Sequence, residues 1–485
     1  MRVAFHNLGC KVNSYELDVM RQKMTEYGYE TVPFQEEADI YVINTCTVTN
    51  IADRKSRQMI HRAKKKNPDA VVIAVGCYVE TDPGRVETDP AIDLAIGNNK
   101  KAEIAEIVEE FLRQRGGEAA AGSGDAAGSG DAAGDAAADT SSRTLHGRTM
   151  EDLTHRPRYE DMQLTDPGHT RVFCKIQDGC NQFCTYCIIP YARGRIRSRR
   201  PGEVLEEIRR LAAGGTGEVV LTGIHLSSYG LDWGAESDRI PFDAEKAGQN
   251  LLSLIREIAA VPGIVRIRLG SLEPRIVTET FARSLSEIPQ VCPHFHLSLQ
   301  SGCDETLRRM NRHYTTEQYL DSVKILRKYW DRPAVTTDVI VGFPGETVAE
   351  FEETERFLEE VDFYEMHVFK YSARQGTVAA GMPGQIPEAA KTVRSERLLA
   401  MTREASDRYR QTFIGHKEEL YLEEVTETAL GPCWRGHTMR YVEGLIPPAD
   451  IPEGMTLARR QLVRGEFTGR APEEGKMLFC PSGGD

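Results

Sequence analysis

The residues best placed to do chemistry are three cysteines in Gly179-Cys180-Asn181-Gln182-Phe183-Cys184-Thr185-Tyr186-Cys187. Three thiolates in so short a stretch surround one metal centre only if the backbone curls tightly around it. An iron–sulfur cube normally takes four protein thiolates, so three leave one iron open. An open coordination position separates a reactive metal site from a structural one. Zinc would need a fourth ligand, and the next histidine, His225, lies far downstream. Disulfide pairing is disfavoured in a chain that shows no export signal. The spacing therefore favours a reactive cluster held by Cys180, Cys184 and Cys187.

A second set is dispersed. Cys10 lies in Leu-Gly-Cys-Lys-Val-Asn, Cys46 in Asn-Thr-Cys-Thr-Val-Thr-Asn and Cys77 in Val-Gly-Cys-Tyr, each just past an expected strand. Ligands of open α/β sheets collect outside the carboxyl ends of the strands. Three cysteines far apart in sequence can thus converge on a second iron–sulfur cluster. The plainer alternative is three unrelated buried thiols, since free cysteine is common in cores. Cys174, Cys292, Cys303, Cys433 and Cys480 have no paired spacing and read as structural or incidental, with Cys303 nearest an expected cofactor loop.

The elements that must position these thiols follow from alternation. Strand signals at Arg2–His6, Ile40–Asn44 and Ala70–Val75 enclose helical patterns at Val12–Glu26 and Asn50–Asn67. Such alternation predicts a parallel sheet flanked by helices. From Arg171 it resumes with strands at Arg171–Ile176, Glu218–Thr222, Ile264–Leu269, His294–Leu299, Ala334–Val341 and Phe363–Tyr371, which predicts an incomplete parallel barrel. Thr222-Gly223, Ser271-Leu272-Glu273, Gln300-Ser301-Gly302 and Gly342-Phe343-Pro344-Gly345 end four of these strands. Each alone is turn chemistry. Together, at the expected barrel mouth, Thr222, Gly223, Ser271, Glu273, Gln300 and Gly342 are candidate cofactor contacts. After residue 410, short segments such as Glu419–Glu423, Thr438–Glu443 and Arg460–Val463 predict a small β-barrel. The fold class is α/β, with divisions at 1–113, 114–165 (a low-complexity linker), 166–409 and 411–480.

Composition sets the limits. At 485 residues the chain exceeds one ordinary core, and 40% hydrophobic residues suffice for globular folding. No apolar run is long enough to span a bilayer, the N-terminus lacks a signal core, and eleven cysteines then point to metal chemistry in a reducing, cytoplasmic setting. A net charge of -13 argues against non-specific coating of nucleic acid. Residues 116–140 repeat Ala, Gly, Ser and Asp without large apolar side chains, the composition of a flexible insert. Arg193, Arg195, Arg197, Arg199 and Arg200 follow the clustered cysteines. They read as a solvated face, as a docking surface for an anionic substrate, or as partners of Glu203, Glu206 or Glu207.

The CxxxCxxC spacing, with an aromatic before the third cysteine, resembles the signature of the radical S-adenosylmethionine enzymes. With both triplets placed, the whole chain outside the insert resembles the methylthiotransferase family of that superfamily. Gly436-His-Thr-Met-Arg-Tyr-Val supports a terminal β-barrel of the TRAM type. The resemblance implies an auxiliary 4Fe-4S cluster on Cys10, Cys46 and Cys77, and a radical 4Fe-4S cluster on Cys180, Cys184 and Cys187. It also implies S-adenosylmethionine as methyl and radical source, with Tyr186 beside the adenine. Leu8-Gly-Cys-Lys-Val-Asn13, Asn44-Thr-Cys-Thr-Val-Thr-Asn50 and Asp53-Arg-Lys-Ser-Arg-Gln58 resemble the branch acting on threonylcarbamoyladenosine beside the tRNA anticodon. The partner implied is the anticodon loop, the electron donor and sulfur source being undetermined. The alternatives are methylthiolation of isopentenyladenosine or of a ribosomal protein, a radical enzyme whose auxiliary cluster only transfers electrons, and a non-catalytic iron–sulfur RNA-binding protein.

Overall fold

Strands Ile40–Thr45 and Val71–Gly76 are buried along their whole length, and their near-continuous apolar runs are what a parallel strand covered on both faces requires. In the computed structural model they are the centre of a six-stranded parallel sheet. Its strands are β1 (Arg2–Asn7), β2 (Glu30–Val32), β3 (Ile40–Thr45), β4 (Val71–Gly76), β5 (Leu94–Ile96) and β6 (Arg148–Thr149), in spatial order β2-β1-β3-β4-β5-β6. The structure describes residues 1–121, 148–151, 153, 158–165 and 168–482. The expected insert at 116–140 falls mostly outside them, although the helix Ile104–Ala121 runs into its first residues.

Contacts divide the chain into two units. The first holds Met1–Leu164 together with Ile188–Gly194, and the second holds Thr165–Cys187 and Arg195–Asp485. The first unit packs one apolar layer on each face of its sheet. Helix α1 (Lys11–Glu26) contributes Leu17, Met20 and Met24 to one layer, and α2 (Asn50–Lys66) contributes Ile60 and Ala63 to the other. Thr49 caps α2, its hydroxyl accepting from the Ala52 N–H, which satisfies one of the donors a helix start leaves open.

The second unit opens with a half-barrel. Strands β7 (Arg171–Lys175), β10 (Glu218–Thr222) and β11 (Arg266–Leu269) form one parallel sheet; β12 (His294–His296), β13 (Ala334–Val341) and β14 (Glu365–Lys370) form another. A short antiparallel pair, β8 (Gln177–Asp178) and β9 (Arg197–Ser198), brackets the cysteine loop. Single parallel bridges at Ile267–Val291 and Leu272–Leu297 join the two three-stranded halves. The expected strand His294–Leu299 is therefore shorter, with only His294–His296 continuously paired. Alternate residues Val335, Val339 and Val341 enter the apolar core, leaving Thr336 and Asp338 on the opposite face.

A closed five-stranded barrel ends the chain: β15 (Lys417–Thr428), β16 (Gly431–His437), β17 (Glu443–Ile446), β18 (Leu462–Arg470) and β19 (Met477–Pro481). Residues 438–442, expected as a strand, are instead the turn between β16 and β17. Tyr441 sits there at φ +67°, with its ring under Arg171 and Arg268, each 4.7 Å away. Arg268 donates to the carbonyls of Thr438 and Met439, and Arg266 to those of His437 and Glu419. Buried Glu218 pairs with Arg171, Arg268 and Arg266. Burial alone would raise its carboxyl, but the three guanidinium groups outweigh this and hold it at about 2.

Candidate active site

The dispersed triplet is assembled by sheet order. β1, β3 and β4 are adjacent, so the loops carrying Cys10, Cys46 and Cys77 emerge side by side across roughly 10 Å, two inter-strand spacings. Register makes this tighter: Asn7 pairs with Asn44, and Thr45 with Gly76, so Cys46 and Cys77 are the next residues of paired strands. Gly9, at φ +111°, lies so close that a β-carbon there would stand 3.0 Å from the Cys46 sulfur. Gly76, at φ +100°, turns β4 into Cys77 where a β-carbon would meet Asn44 at 2.9 Å. Asn13 fastens the Cys10 loop by donating to the carbonyls of Leu8 and Thr45.

Burial, then the neighbouring Cys77 and Cys10, push the Cys46 thiol up to about 12. Without metal these groups are thiols, and a cluster must displace their protons to bind. The surroundings fit that. Asn98 donates to the Cys77 sulfur at 3.6 Å and to the Ala192 carbonyl at 2.7 Å. Arg193 donates to Asn13 and Glu16, each at 2.7 Å, and Lys101 pairs with Glu16, all three charged side chains having no exposed surface. Two cations against one carboxylate leave net positive charge close to thiolates.

The local triplet lies in the loop after β8. Gly179 and Phe183 both take positive φ, +68° and +48°, and the Cys187 N–H bonds back to the Cys184 carbonyl at 2.9 Å. Asn311 donates to the carbonyls of Gln182 and Phe183, while the Thr185 N–H reaches the Met310 carbonyl at 3.0 Å. Arg312 places Nη1 3.3 Å from the Cys184 sulfur, a cation that sequence spacing gave no means of assigning. Burial and the adjacent Cys184 push the Cys180 thiol upward. Three thiols on one strapped loop with a cation beside them fit a cluster bound through three sulfurs.

Around this loop the expected contacts are ordered by strand. Tyr186 packs with Met310, Phe343, Tyr371 and Ala379. Thr222 ends β10 and Gly223 follows it; Gln177 links the turn beyond them to the cluster loop, its oxygen accepting from the His225 N–H and its amide donating to the Gly179 carbonyl. Ser271 is exposed after β11. Glu273 is buried between His225 and Arg275. Burial would raise its carboxyl, but those two partners hold it at about 2. Arg275 also donates to Gln182 of the loop at 3.3 Å. Gln300, at φ +74°, exchanges hydrogen bonds with Asp338 and Ile340. Gly342 donates its N–H to Glu346, and its α-carbon faces Lys391.

The arginine run departs from the docking expectation at three of its five positions. Arg193, Arg197 and Arg199 are buried. Arg199 pairs with Glu207, and Arg197 with Asp178. Arg195 lies over the Phe183 ring at 4.5 Å and Arg200 over Trp233 at 5.2 Å. Three of the five are therefore internal ion pairs rather than a solvated face, as the alternative pairing with the following helix anticipates for Arg199.

Residues 174–358 match the radical SAM superfamily, and residues 2–97 an uncharacterized protein family, UPF0004. The chain is 38% identical over 443 residues to the threonylcarbamoyladenosine tRNA methylthiotransferase MtaB of Bacillus subtilis, covering 91% of this chain and 89% of that one. It is 37% identical to MtaB of Aquifex aeolicus, over 85% of this chain and 90% of that one. It is 34% identical to the tRNA-2-methylthio-N(6)-dimethylallyladenosine synthase of Moorella thermoacetica, over 87% and 86%. Among solved structures, the radical S-adenosylmethionine methyltransferase TsrM from Kitasatospora setae shares the fold at TM-score 0.50 and 17% identity, over 76% of this chain and 72% of that one.

Proposed function

Because the chain belongs to the radical S-adenosylmethionine methylthiotransferase family, and so is an enzyme using S-adenosylmethionine and 4Fe-4S clusters, we propose that it methylthiolates carbon 2 of threonylcarbamoyladenosine next to the anticodon of tRNA. The observation that carries the substrate is the 38% identity, over nine-tenths of both chains, to a relative named for that reaction. The motifs around Cys10, Cys46 and Asp53 support the same branch. The Moorella relative, named for dimethylallyladenosine, keeps that nucleoside as the second reading.

Cys180, Cys184 and Cys187 would hold the radical cluster, and Cys10, Cys46 and Cys77 the auxiliary one. When bound, these groups and S-adenosylmethionine supply the radical, the sulfur and the methyl group. The chain's own residues bind and orient. Arg312 offsets thiolate charge at Cys184. Tyr186, Thr222, Gly223, Ser271, Glu273, Gln300 and Gly342 are the proposed contacts of S-adenosylmethionine, with Glu273 ionised and aimed by His225 and Arg275. The target base lies in an RNA loop, where an unstacked base can be presented without melting a duplex. The terminal barrel is proposed as a TRAM-like tRNA contact, and the setting as cytoplasmic. Among the described residues no helix is long and apolar enough to cross a membrane.

Mass spectrometry of tRNA nucleosides from a strain lacking the gene tests this. Loss of the methylthio derivative, with threonylcarbamoyladenosine itself retained, is the expected result. Loss of the methylthiolated isopentenyl nucleoside instead would transfer the assignment to the second reading.

A further inference from the structure

Three adjacent strands of the half-barrel place His296, Asp338 and His367 on one face. Asp338 on β13 is the direct register partner of His367 on β14, and His296 on β12 is the partner of Thr336, two residues before Asp338. Side chains two apart on a strand share a face, so all three point away from the apolar core that takes Phe295, Val339 and Met366. Their donor atoms all lie within 4.8 Å of one another. His296 Nε2 is 3.2 Å from Asp338 Oδ2. The two imidazole rings face each other, with centroids 5.7 Å apart and planes 26° from parallel.

We propose that His296, Asp338 and His367 form a binding site for one divalent first-row transition cation on the inner wall of the half-barrel, separate from both cysteine triplets. Two imidazoles and one carboxylate are the donor set of catalytic zinc and non-haem iron sites, which keep positions open for a further oxygen ligand. Donors about 2.1 Å from a tetrahedral ion stand about 3.4 Å apart, close to the spacing already held by His296 and Asp338. His296 is prepared in a second way: its Nδ1 lies 3.0 Å from the Thr336 hydroxyl. A hydrogen bond at one ring nitrogen fixes the orientation of the other toward a metal. His296 is buried, Asp338 intermediate and His367 exposed, so the site opens to solvent through the side chain freest to close onto an ion. A simple His296–Asp338 ion pair would leave His367 without a role. An ion bound here would offer its open positions to an anionic oxygen of a molecule entering the barrel.

The test uses full-length protein with both cysteine triplets reconstituted, zinc chloride as the probe, and cluster iron measured throughout. One zinc per chain is expected to remain after gel filtration, with X-ray absorption showing nitrogen and oxygen neighbours and no sulfur. His367→Ala and Asp338→Asn should each weaken zinc binding by at least about tenfold, the lower bound for losing even an outer partner of a metal ligand, with iron unchanged. His367 is exposed, so its replacement leaves the fold intact. Zinc with sulfur neighbours, affinity unchanged in His367→Ala, or no retained zinc would each overturn the site. None of these readings depends on which nucleoside the enzyme modifies.

Discussion

The two cysteine triplets reach similar ends by opposite routes. One is carried by a single loop whose shape is fixed by neighbours at 309–312. The other exists only because β1, β3 and β4 are adjacent and in register. A local site tolerates changes elsewhere in its domain, whereas a site made of three strand ends inherits the stability of the whole sheet. The predictions below aim at that contrast.

The largest effect belongs to the cysteines themselves. Reconstituted protein should hold about eight irons in two four-iron clusters. Replacing Cys180, Cys184 and Cys187 with alanine should abolish reductive cleavage of S-adenosylmethionine. Replacing Cys10, Cys46 and Cys77 should halve the iron and leave cleavage in place. Full iron in the second variant would show that the strand-end triplet holds nothing.

Next comes the buried charge beneath the strand-end site. Glu16→Gln leaves Lys101 and Arg193 buried without their carboxylate, a loss of about 3–5 kcal/mol by analogy with other broken buried pairs. Denaturant unfolding should register it, and auxiliary iron should fall while the radical cluster survives. A change under about 1 kcal/mol would mean that the strand-end site does not depend on its support.

Acid should act on the second unit through Glu218 and Glu273. Both have folded values near 2, against an ordinary value of 4.5. A depressed carboxyl stabilises the fold fully above the unfolded value and loses that contribution as pH falls toward the folded one. The loss should therefore accrue between about pH 4.5 and about pH 2, on the order of 3 kcal/mol per group. Unfolding of Glu218→Gln and Glu273→Gln across this range should each show a flatter pH dependence than the parent.

The smallest effect is expected at Arg200, stacked over Trp233 at the surface. Arg200→Gln should cost no more than about 1 kcal/mol. In Arg197→Gln the salt dependence of tRNA affinity should stay unaltered, because a buried guanidinium releases no counterions. A slope lower by roughly 0.7–0.9 would restore the docking role.

The sequence was most legible where chemistry or periodicity is local. The Cys180–Cys187 spacing announced its loop, and β3, β4 and β13 lie within a residue or two of their expected bounds. The helix Glu388–Gln411 was missed because its buried positions include Lys391, Arg394, Ser395, Ser406 and Arg410, so no apolar stripe marks it. Residues 438–442 misled because alternation does not reveal a turn built to place Tyr441. The partners of Arg193, the placement of Arg312 and the His296–Asp338–His367 group were out of reach for another reason. Each depends on which distant strands or loops become neighbours, information that spacing along the chain does not contain.

The segment Ile188–Gly194 has a consequence for modularity. It begins directly after Cys187, the last cysteine of the local triplet, yet it belongs to the first unit, where the Ala192 carbonyl accepts from Asn98 and Arg193 completes the charge network around Glu16. A fragment ending at Leu164 would be a domain by length but not by content. The first unit is not a simple N-terminal block, because seven of its residues, Ile188–Gly194, follow the first stretch of the second in the chain. Recombination at the linker would separate Glu16 from its guanidinium partner.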